Sequence, residues 1–319
     1  MSQEKSLNNT PLIVITGPTA SGKTSLATHL SSQIGGEVIS ADSRQVFKGM
    51  DIGTGKDLSE YKIKGKDIPY HLIDICEPGE DFNLYLFQKL YAESVDTILK
   101  NNHIPILCGG TGLYIEAVTL DGYDEVWIPR NEALRSEWEN QSLEDMQKFY
   151  LELVPNKKKQ LEGIGHRARS LMRAIEIEYF LKYKPETHYK PVEFKNLPTF
   201  NFAINIDRDT RWSKIERRLN ERLEEGMIDE VKSLLERIES GKLKSYGLEY
   251  RHITEYLEGE ITYDEMREVL LKSIQQFSKR QMTWFRRMEK KTKINWMPVE
   301  WELERKIEFV KATINSSSK

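Results

Sequence analysis

A phosphate-binding loop near the start of the chain constrains the fold more than any other feature. Residues 17–24 read GPTASGKT, which matches the spacing G-x-x-x-x-G-K-[ST]. The apolar run PLIVIT precedes it and predicts a buried strand, and KTSLATHLSSQI continues with helical spacing. In a strand–loop–helix unit, backbone N–H groups and the helix N-terminus hold an oxyanion, while Lys23 adds a positive charge. The motif therefore predicts a polyphosphate ligand, with the Thr24 hydroxyl available to Mg²⁺.

Alternating strands and helices follow the loop and predict the fold class. After the first strand, buried strands are predicted at 36–43, 70–75 and 104–110, with an amphipathic helix at 83–102. This alternation is typical of an α/β fold with a parallel sheet, here a P-loop NTPase-like core. Ligands of such sheets bind at the carboxyl ends of the strands.

The pattern changes after residue 121 and predicts an inserted domain. Residues 130–182 read as charged helices without a strand; beyond them, strands are predicted at 197–207 and 294–297, and helices at 211–238 and 263–288. We therefore predict an all-helical domain inserted into the α/β core. The predicted boundaries are 11–120 and 197–298 for the catalytic core, 121–196 for the helical insertion, and 1–10 and 312–319 for flexible tails.

Charge is distributed unevenly and indicates a nucleic-acid partner. The net charge is only −3, yet residues 271–297 hold eight Lys or Arg against the single acid Glu289. Residues 157–173 hold six Lys or Arg against Glu162. Local basic clusters of this kind favour phosphate backbones, although isolated clusters also occur as solvated helix faces.

Composition limits the location and the class of site. The chain has two cysteines, too few for a disulfide framework or a four-cysteine zinc site. No run of about 18 apolar residues predicts a membrane span, and the first ten residues are too polar for a signal peptide. We expect a cytoplasmic protein, acting as a monomer, that does not contact membranes.

The ends of the predicted strands argue against nucleotide hydrolysis. An ATPase or nucleotide kinase usually has a second apolar strand that ends in an aspartate bound to Mg²⁺. Here IPILCGG ends in glycines, and the acid is instead Asp42, at the end of the strand that follows the loop. A nucleotide kinase or ATPase remains an alternative, and it predicts ATP turnover.

Several stretches in chain order resemble the tRNA dimethylallyltransferase family, also called tRNA isopentenyltransferase. The resemblance implies that the loop holds the diphosphate of dimethylallyl diphosphate and that Mg²⁺ is the cofactor. It also implies transfer of the five-carbon group to N6 of adenosine 37, in the anticodon stem-loop of tRNA. The matching stretches are GPTASGKT, ISADSRQVFKGMDIGTGK, HLIDI, PILCGGTGLYIEAV, EGMIDEV, YLEGEITYDEM and KRQMTWFRR.

The chemistry requires a base, because the lone pair of an adenine amine is delocalised into the ring. A neighbouring carboxylate must take the amine proton as the N–C bond forms, and Asp42 matches the family's catalytic aspartate. By the same resemblance, Thr111 lies near the amine and the diphosphate. The expected diphosphate-binding residues are Gly17, Thr19, Ala20, Ser21, Gly22, Lys23, Thr24 and Arg218.

The resemblance also implies a set of tRNA contacts. Ser43 and its neighbours would hold the surroundings of the extruded adenine, and Lys279, Thr283 and Arg286 recur at helical spacing as a basic stripe. The full expected set is Asp42, Ser43, Arg44, Gln45, Thr111, Arg135, Arg169, Arg173, Arg251, Lys279, Arg280 and Gln281. Cys108, Trp284 and Phe285 are expected in the core instead.

Two positions depart from the family pattern in segments that touch tRNA. Ser170 replaces the first arginine of the R-L-x-R-A-L-E segment, and Glu249 stands where glycine is expected in G-Y-R-Q. We therefore expect the prenyl-transfer chemistry to follow the family more closely than the selection of tRNA substrates does. Alternatives are transfer to free AMP, ADP or ATP, for which the basic helices would be unnecessary, and an inactive RNA-binding protein, which would tolerate Asp42→Asn.

Overall fold

The computed structural model describes residues 10–316, and these divide into two compact units. The described residues up to Leu120 and from Phe194 onward form the first unit, and Asp121–Glu193 form the second. The sequence placed the end of the insertion at residue 196. No helix among the described residues is long and apolar enough to cross a membrane.

A parallel six-stranded sheet organises the first unit and confirms the predicted α/β class. Its order is β5-β2-β6-β1-β7-β8, so the strand before the phosphate-binding loop lies inside the sheet, between β6 and β7. The two central strands β1 and β6 are apolar and almost fully buried, as expected when both faces are covered. The strands of the sheet are β1 (Leu12–Thr16), β2 (Gly36–Ser40), β5 (Tyr70–His71), β6 (Ile104–Gly109), β7 (Thr199–Asn205) and β8 (Ile294–Pro298), with a separate hairpin of β3 (Lys62–Ile63) and β4 (Lys66–Asp67).

Helices pack on both faces of the sheet. One face is covered by α1 and α13 through residues such as Leu30 and Val310, and the other by α2, α3 and α12 through residues such as Phe87 and Phe285. The remaining helices form a bundle with α12. The helices of this unit are α1 (Lys23–Ile34), α2 (Leu84–Lys100), α3 (Gly112–Thr119), α8 (Arg208–Glu224), α9 (Met227–Leu235), α10 (Ser240–Ser245), α11 (Leu248–Leu257), α12 (Tyr263–Met288) and α13 (Leu303–Ser316).

The second unit is helical. Its own buried cluster joins the helices around Tyr150, Leu171 and Ile175. The helices are α4 (Glu132–Trp138), α5 (Leu143–Leu153), α6 (Lys158–Ile164) and α7 (Ala168–Tyr183).

Three expected elements differ from the structure. The strand predicted at 70–75 ends at His71, because Leu72 and Asp74 take left-handed backbone conformations with φ of 62° and 56°. The helix predicted at 211–238 is broken at Gly226, where φ is 99°. The tail predicted at 312–319 is helical as far as Ser316, where the described residues end; the tail predicted at 1–10 lies outside the described residues except for Thr10.

Glu37 in β2 is a buried carboxylate at the edge of the sheet where the strands begin. Burial alone raises the pKa of Glu37, but hydrogen bonds from His103, His71 and Asn101 outweigh it and leave the pKa lowered. The two histidine nitrogens lie 2.6 Å from the carboxylate oxygens. Because the folded protein favours the ionised form, this stabilisation is present above the unfolded pKa and is lost as the pH falls through the folded pKa.

We expect Glu37→Gln to lower the free energy of unfolding by about 1–3 kcal/mol at pH 7, since it weakens several buried hydrogen bonds. The difference from the unsubstituted protein should shrink as the pH falls below the usual glutamate pKa of 4.5, because Glu37 itself becomes protonated. Urea denaturation at pH 7 and pH 4 measures both effects. Glu77→Gln, at an exposed ion pair with Lys48, is the control with little expected change; equal losses in both variants would contradict the assignment.

Candidate functional site

The phosphate-binding loop connects β1 to α1, as predicted. Two residues of the loop, Ala20 and Gly22, have positive φ (60° and 83°), which turns the chain sharply before α1 begins at Lys23. The hydroxyl groups of Thr16 and Ser21 are buried and have no hydrogen-bond partner among the described residues. A buried hydroxyl without a partner is costly, so a ligand in the loop would satisfy these groups.

A cavity of about 320 Å³ opens beside the loop. Lys23 at its base is half-buried, and burial together with the nearby Arg218 lowers the pKa of Lys23. Burial and the adjacent Arg222 lower the pKa of Arg218 to about 10. Five cationic side chains line the cavity against four carboxylates, Asp57, Glu60, Glu221 and Glu225, so the lining keeps a small excess of positive charge that an anion would stabilise. The cationic residues that line it are Lys23, Lys214, Arg217, Arg218 and Arg222.

Asp57 and Arg222 belong to this cavity and were missed by the sequence analysis. Asp57 lies 3.6 Å from Arg218 Nη2 and 3.3 Å from Arg222 Nη2. Gly55 permits this approach, since a Cβ at this position would overlap both guanidinium groups. The four-residue spacing of Arg218 and Arg222 on α8 was a usable signal, because it places both on one helix face.

Asp42 and Thr111 come together at the ends of neighbouring strands β2 and β6. The Thr111 N–H donates to the Ala41 carbonyl at 3.1 Å, and the Ser43 N–H donates to Thr111 Oγ1 at 3.3 Å. Gly109 lies flat against Ala41, where any Cβ would overlap the carbonyl. The GGTG segment therefore brings the Thr111 hydroxyl to the backbone of the residue after Asp42, at the edge of the sheet that also carries the loop.

Gln281 lies inside the protein, although it was expected to contact tRNA. Its side-chain oxygen accepts the Thr19 N–H at 2.9 Å, and its side-chain nitrogen donates to the Gly110 carbonyl at 3.0 Å. The residue is 7% exposed. Gln281 therefore joins α12 to the phosphate-binding loop and to the end of β6, a link that no local pattern indicates.

The residues after Asp42 also make internal contacts. The Gln45 amide accepts from Ser40 Oγ at 2.8 Å and donates to the Gly55 carbonyl at 2.9 Å. Arg44 pairs with Glu249 at 2.8 Å. Ser43 contributes its backbone N–H to Thr111. These contacts hold the segment in a defined conformation next to Asp42.

The expected basic stripe on α12 is exposed. Lys279, Arg280, Thr283 and Arg286 all lie on the solvent side of the helix, and Arg251 on α11 is exposed as well. Phe285 on the opposite face is fully buried, as expected, whereas Trp284, also expected in the core, is only half-buried. Cys108 is also buried, and burial raises the pKa of its thiol to about 12.

In the second unit, two of the three expected tRNA-contacting arginines are engaged within the unit. Arg135 makes a bidentate contact with Glu176, at 2.6 Å and 3.0 Å. Arg173 donates to the Ile128 carbonyl at 2.7 Å and also contacts Glu176. Arg169 is exposed. Glu176 thus organises the arginines from α4 and α7, a role that its match to the family's R-A-L-E pattern did not specify.

Comparisons with known proteins agree on one family. Residues 45–288 match the family model described as IPP transferase, and residues 10–70 match the one described as isopentenyl transferase. tRNA dimethylallyltransferase 1 of Azobacteroides pseudotrichonymphae is 47% identical over 291 residues, which are 90% of this chain and 93% of the relative. tRNA dimethylallyltransferase 2 of Bacteroides fragilis is 45% identical over 304 residues, which are 94% and 96% of the two chains.

A solved structure extends the similarity to three dimensions. The full-length tRNA isopentenylpyrophosphate transferase from Bacillus halodurans superposes with a TM-score of 0.68 at 29% sequence identity. The superposition covers 97% of this chain and 98% of that one.

Proposed function

The chain belongs to the IPP transferase family, and we propose that it transfers a dimethylallyl group from dimethylallyl diphosphate to N6 of adenosine 37 in tRNA. The products are N6-dimethylallyladenosine and diphosphate. The observation that supports this most directly is the position of Asp42 and Thr111 just after the neighbouring strands β2 and β6, at the sheet edge that also carries the phosphate-binding loop. This arrangement supports a carboxylate base at the same edge as the site for a diphosphate leaving group.

The diphosphate is the anion that the loop and α8 are suited to bind. Lys23 and Arg218 supply the charge, the loop N–H groups supply hydrogen bonds, and the unpartnered Ser21 hydroxyl gains a partner. Negative charge grows on the bridging oxygen as the allylic C–O bond breaks. Preorganised cations stabilise that charge without rearranging in the transition state.

Mg²⁺ is the proposed cofactor. It prefers oxygen ligands and commonly binds through substrate phosphates together with one or two protein groups. The Thr24 hydroxyl, Asp57 and Glu60 line the loop cavity, and this donor set fits such an ion. Bound there, Mg²⁺ would neutralise part of the diphosphate charge.

Asp42 accepts the proton that the reaction releases. The adenine amine attacks the first carbon of the dimethylallyl group, the bond from that carbon to the diphosphate oxygen breaks, and a proton passes from N6 to the Asp42 carboxylate. The Thr111 hydroxyl accepts from the Ser43 N–H, so its own proton remains free to be donated to a diphosphate oxygen, which is the role we propose for it. Holding two substrates in line contributes roughly 7–11 kcal/mol in well-oriented systems.

The tRNA anticodon stem-loop is the proposed second substrate. Extruding adenosine 37 from its stack costs roughly a few kcal/mol, which contacts to the RNA backbone must offset. The exposed stripe of Lys279, Arg280 and Arg286 supplies such contacts at helical spacing. We propose that Arg251 and Arg169 add further contacts, and that the enzyme acts as a cytoplasmic monomer where tRNA is present.

The decisive experiment combines purified protein, Mg²⁺, dimethylallyl diphosphate and unmodified tRNA carrying A36 and A37, followed by digestion and mass analysis of the nucleosides. N6-dimethylallyladenosine at position 37 is the expected product. Product with free AMP but none with tRNA would favour the free-nucleotide alternative. ATP hydrolysis without any prenyl transfer would contradict the proposal.

A further inference from the structure

Glu249 is a buried carboxylate for which the proposed chemistry has no role. It lies in the first turn of α11 and is 7% exposed, at the position where the family pattern has glycine. Its Oε2 accepts a hydrogen bond from Arg44 Nη1 at 2.8 Å. A buried carboxylate is tolerated only with a well-placed cation, so the positions of Glu249 and Arg44 depend on each other.

Arg44 is enclosed on the side away from Asp42. Its guanidinium lies over the Phe277 ring, 5.4 Å from the centroid. It also passes close to Gly247, where a Cβ would lie 2.9 Å from Nη1. The side chain is 19% exposed. These contacts hold Arg44 against α11 and α12 and leave little of it for a tRNA phosphate.

Arg44 in turn holds one oxygen of Asp42. Its backbone N–H donates to Asp42 Oδ1 at 3.0 Å, and its Nε lies 4.0 Å from the same oxygen. The second oxygen, Oδ2, has no hydrogen-bond partner among the described residues. Glu249 therefore contacts Arg44, and Arg44 contacts Asp42 through Oδ1. The Oδ2 atom of Asp42 is left to accept a proton.

We propose that Glu249 is a positioning residue for Asp42 and acts through Arg44; this rests on the proposed role of Asp42 as the base. The negative charge of Glu249 partly neutralises the positive charge of Arg44. The guanidinium therefore orients the Asp42 carboxylate without forming a full ion pair with it. Without Glu249, Asp42 is the one ion-pair partner left to the guanidinium among the described residues. The other ionisable groups that interact with Asp42 (Lys23, Cys108 and Tyr114) are unchanged in the variant. A closer pair favours the ionised carboxylate and makes it a weaker base.

Glu249→Gln is the test, because it keeps the shape of the side chain and removes its charge. We expect kcat to fall about tenfold or more, and the acidic limb of the pH–rate profile to move to lower pH, with the KM for tRNA changed by less than about twofold. Glu249→Asp keeps the charge and should recover part of the rate. The control is Glu255→Gln on the same helix, whose carboxylate binds His252 at 2.7 Å and does not contact Arg44.

A second readout does not depend on activity. Glu249 also anchors Arg44 to α11, so Glu249→Gln weakens the attachment of the segment after Asp42 even as the guanidinium moves toward the carboxylate. Backbone hydrogen exchange of a peptide spanning residues 41–47 should therefore be faster in Glu249→Gln than in Glu255→Gln. Thermal unfolding identifies any variant that fails to fold. If Glu249→Gln does not fold, Glu249→Asp is compared with Glu255→Gln instead.

The outcomes separate this proposal from the proposed function. An unchanged kcat, or a raised KM for tRNA with an unchanged pH profile, would overturn the role of Glu249 even if exchange is faster. If the unsubstituted protein forms no prenylated product, the proposed function fails. In that case, unchanged hydrogen exchange in Glu249→Gln would also overturn the structural connection from Glu249 through Arg44 to Asp42. Faster hydrogen exchange would support that connection without supporting the proposed function.

Discussion

Asp42→Asn is expected to reduce prenyl transfer to tRNA by about 10²–10⁴-fold, because the amine then has no base to take its proton. The amide oxygen can still accept the Arg44 N–H that Asp42 Oδ1 accepts at 3.0 Å, so the local fold should persist. Rates of product formation under saturating tRNA and dimethylallyl diphosphate measure the effect. The loss should appear in kcat, with little change in the affinity for diphosphate.

The control is Asp67→Asn, which removes an exposed carboxylate on the β3–β4 hairpin. It should retain the unsubstituted rate. If Asp42→Asn also kept most of its activity, Asp42 would not be the base, and the family resemblance would have assigned the wrong role to it.

Lys23→Met is expected to lower kcat/KM for dimethylallyl diphosphate by about 10²–10³-fold. The thioether side chain has similar length and no charge, so the charge that develops on the leaving diphosphate loses its nearest cation. Diphosphate binding should weaken as well, while tRNA binding without the donor is retained. Titration calorimetry with diphosphate and a tRNA binding assay distinguish the two substrates.

The pH dependence of diphosphate binding supplies a second test of Lys23. Burial, together with Arg218, lowers the pKa of Lys23 below the usual lysine value of 10.5. As the pH rises through this lowered pKa the ammonium is lost, so diphosphate affinity should begin to fall below pH 10.5. Arg218, with a pKa of about 10, contributes to the same alkaline limb. Lys23→Met should therefore retain only the part of the limb that Arg218 contributes, whereas Lys232→Met, which removes an exposed lysine of α9, should keep the whole limb. An identical alkaline limb in Lys23→Met would contradict the assignment.

Elements built from contiguous residues were predicted well. The strand, loop and helix around GPTASGKT form as expected, because the oxyanion-binding groups are backbone N–H groups of neighbouring residues. The parallel sheet follows from short apolar strands that alternate with amphipathic helices. Asp42 and Thr111 could be paired from their places at strand ends, since the carboxyl ends of parallel strands meet at one edge.

Predictions failed where local backbone geometry overrode the pattern of side chains. The apolar stretch at 70–75 looks like a strand, yet left-handed Leu72 and Asp74 end it after two residues. Lys56 shows the tertiary reason for this turn: it is fully buried and pairs with both Asp74 and Asp51, while its Nζ donates to the Phe47 carbonyl at 2.7 Å. Buried charges must be paired, and this pairing shapes the loop after β5.

The sequence by itself determined the strand–loop–helix unit at GPTASGKT and the fold class, because each depends on residue types at fixed local spacing. It also predicted Asp42 as the base. Tertiary structure alone decided which side chains hold those groups in place. Gln281 reaches the loop from 262 residues away, and Glu249 reaches Arg44 from 205 residues away. Such partners are set by how α11 and α12 pack near the ends of the strands, and spacing along the chain carries no record of that packing.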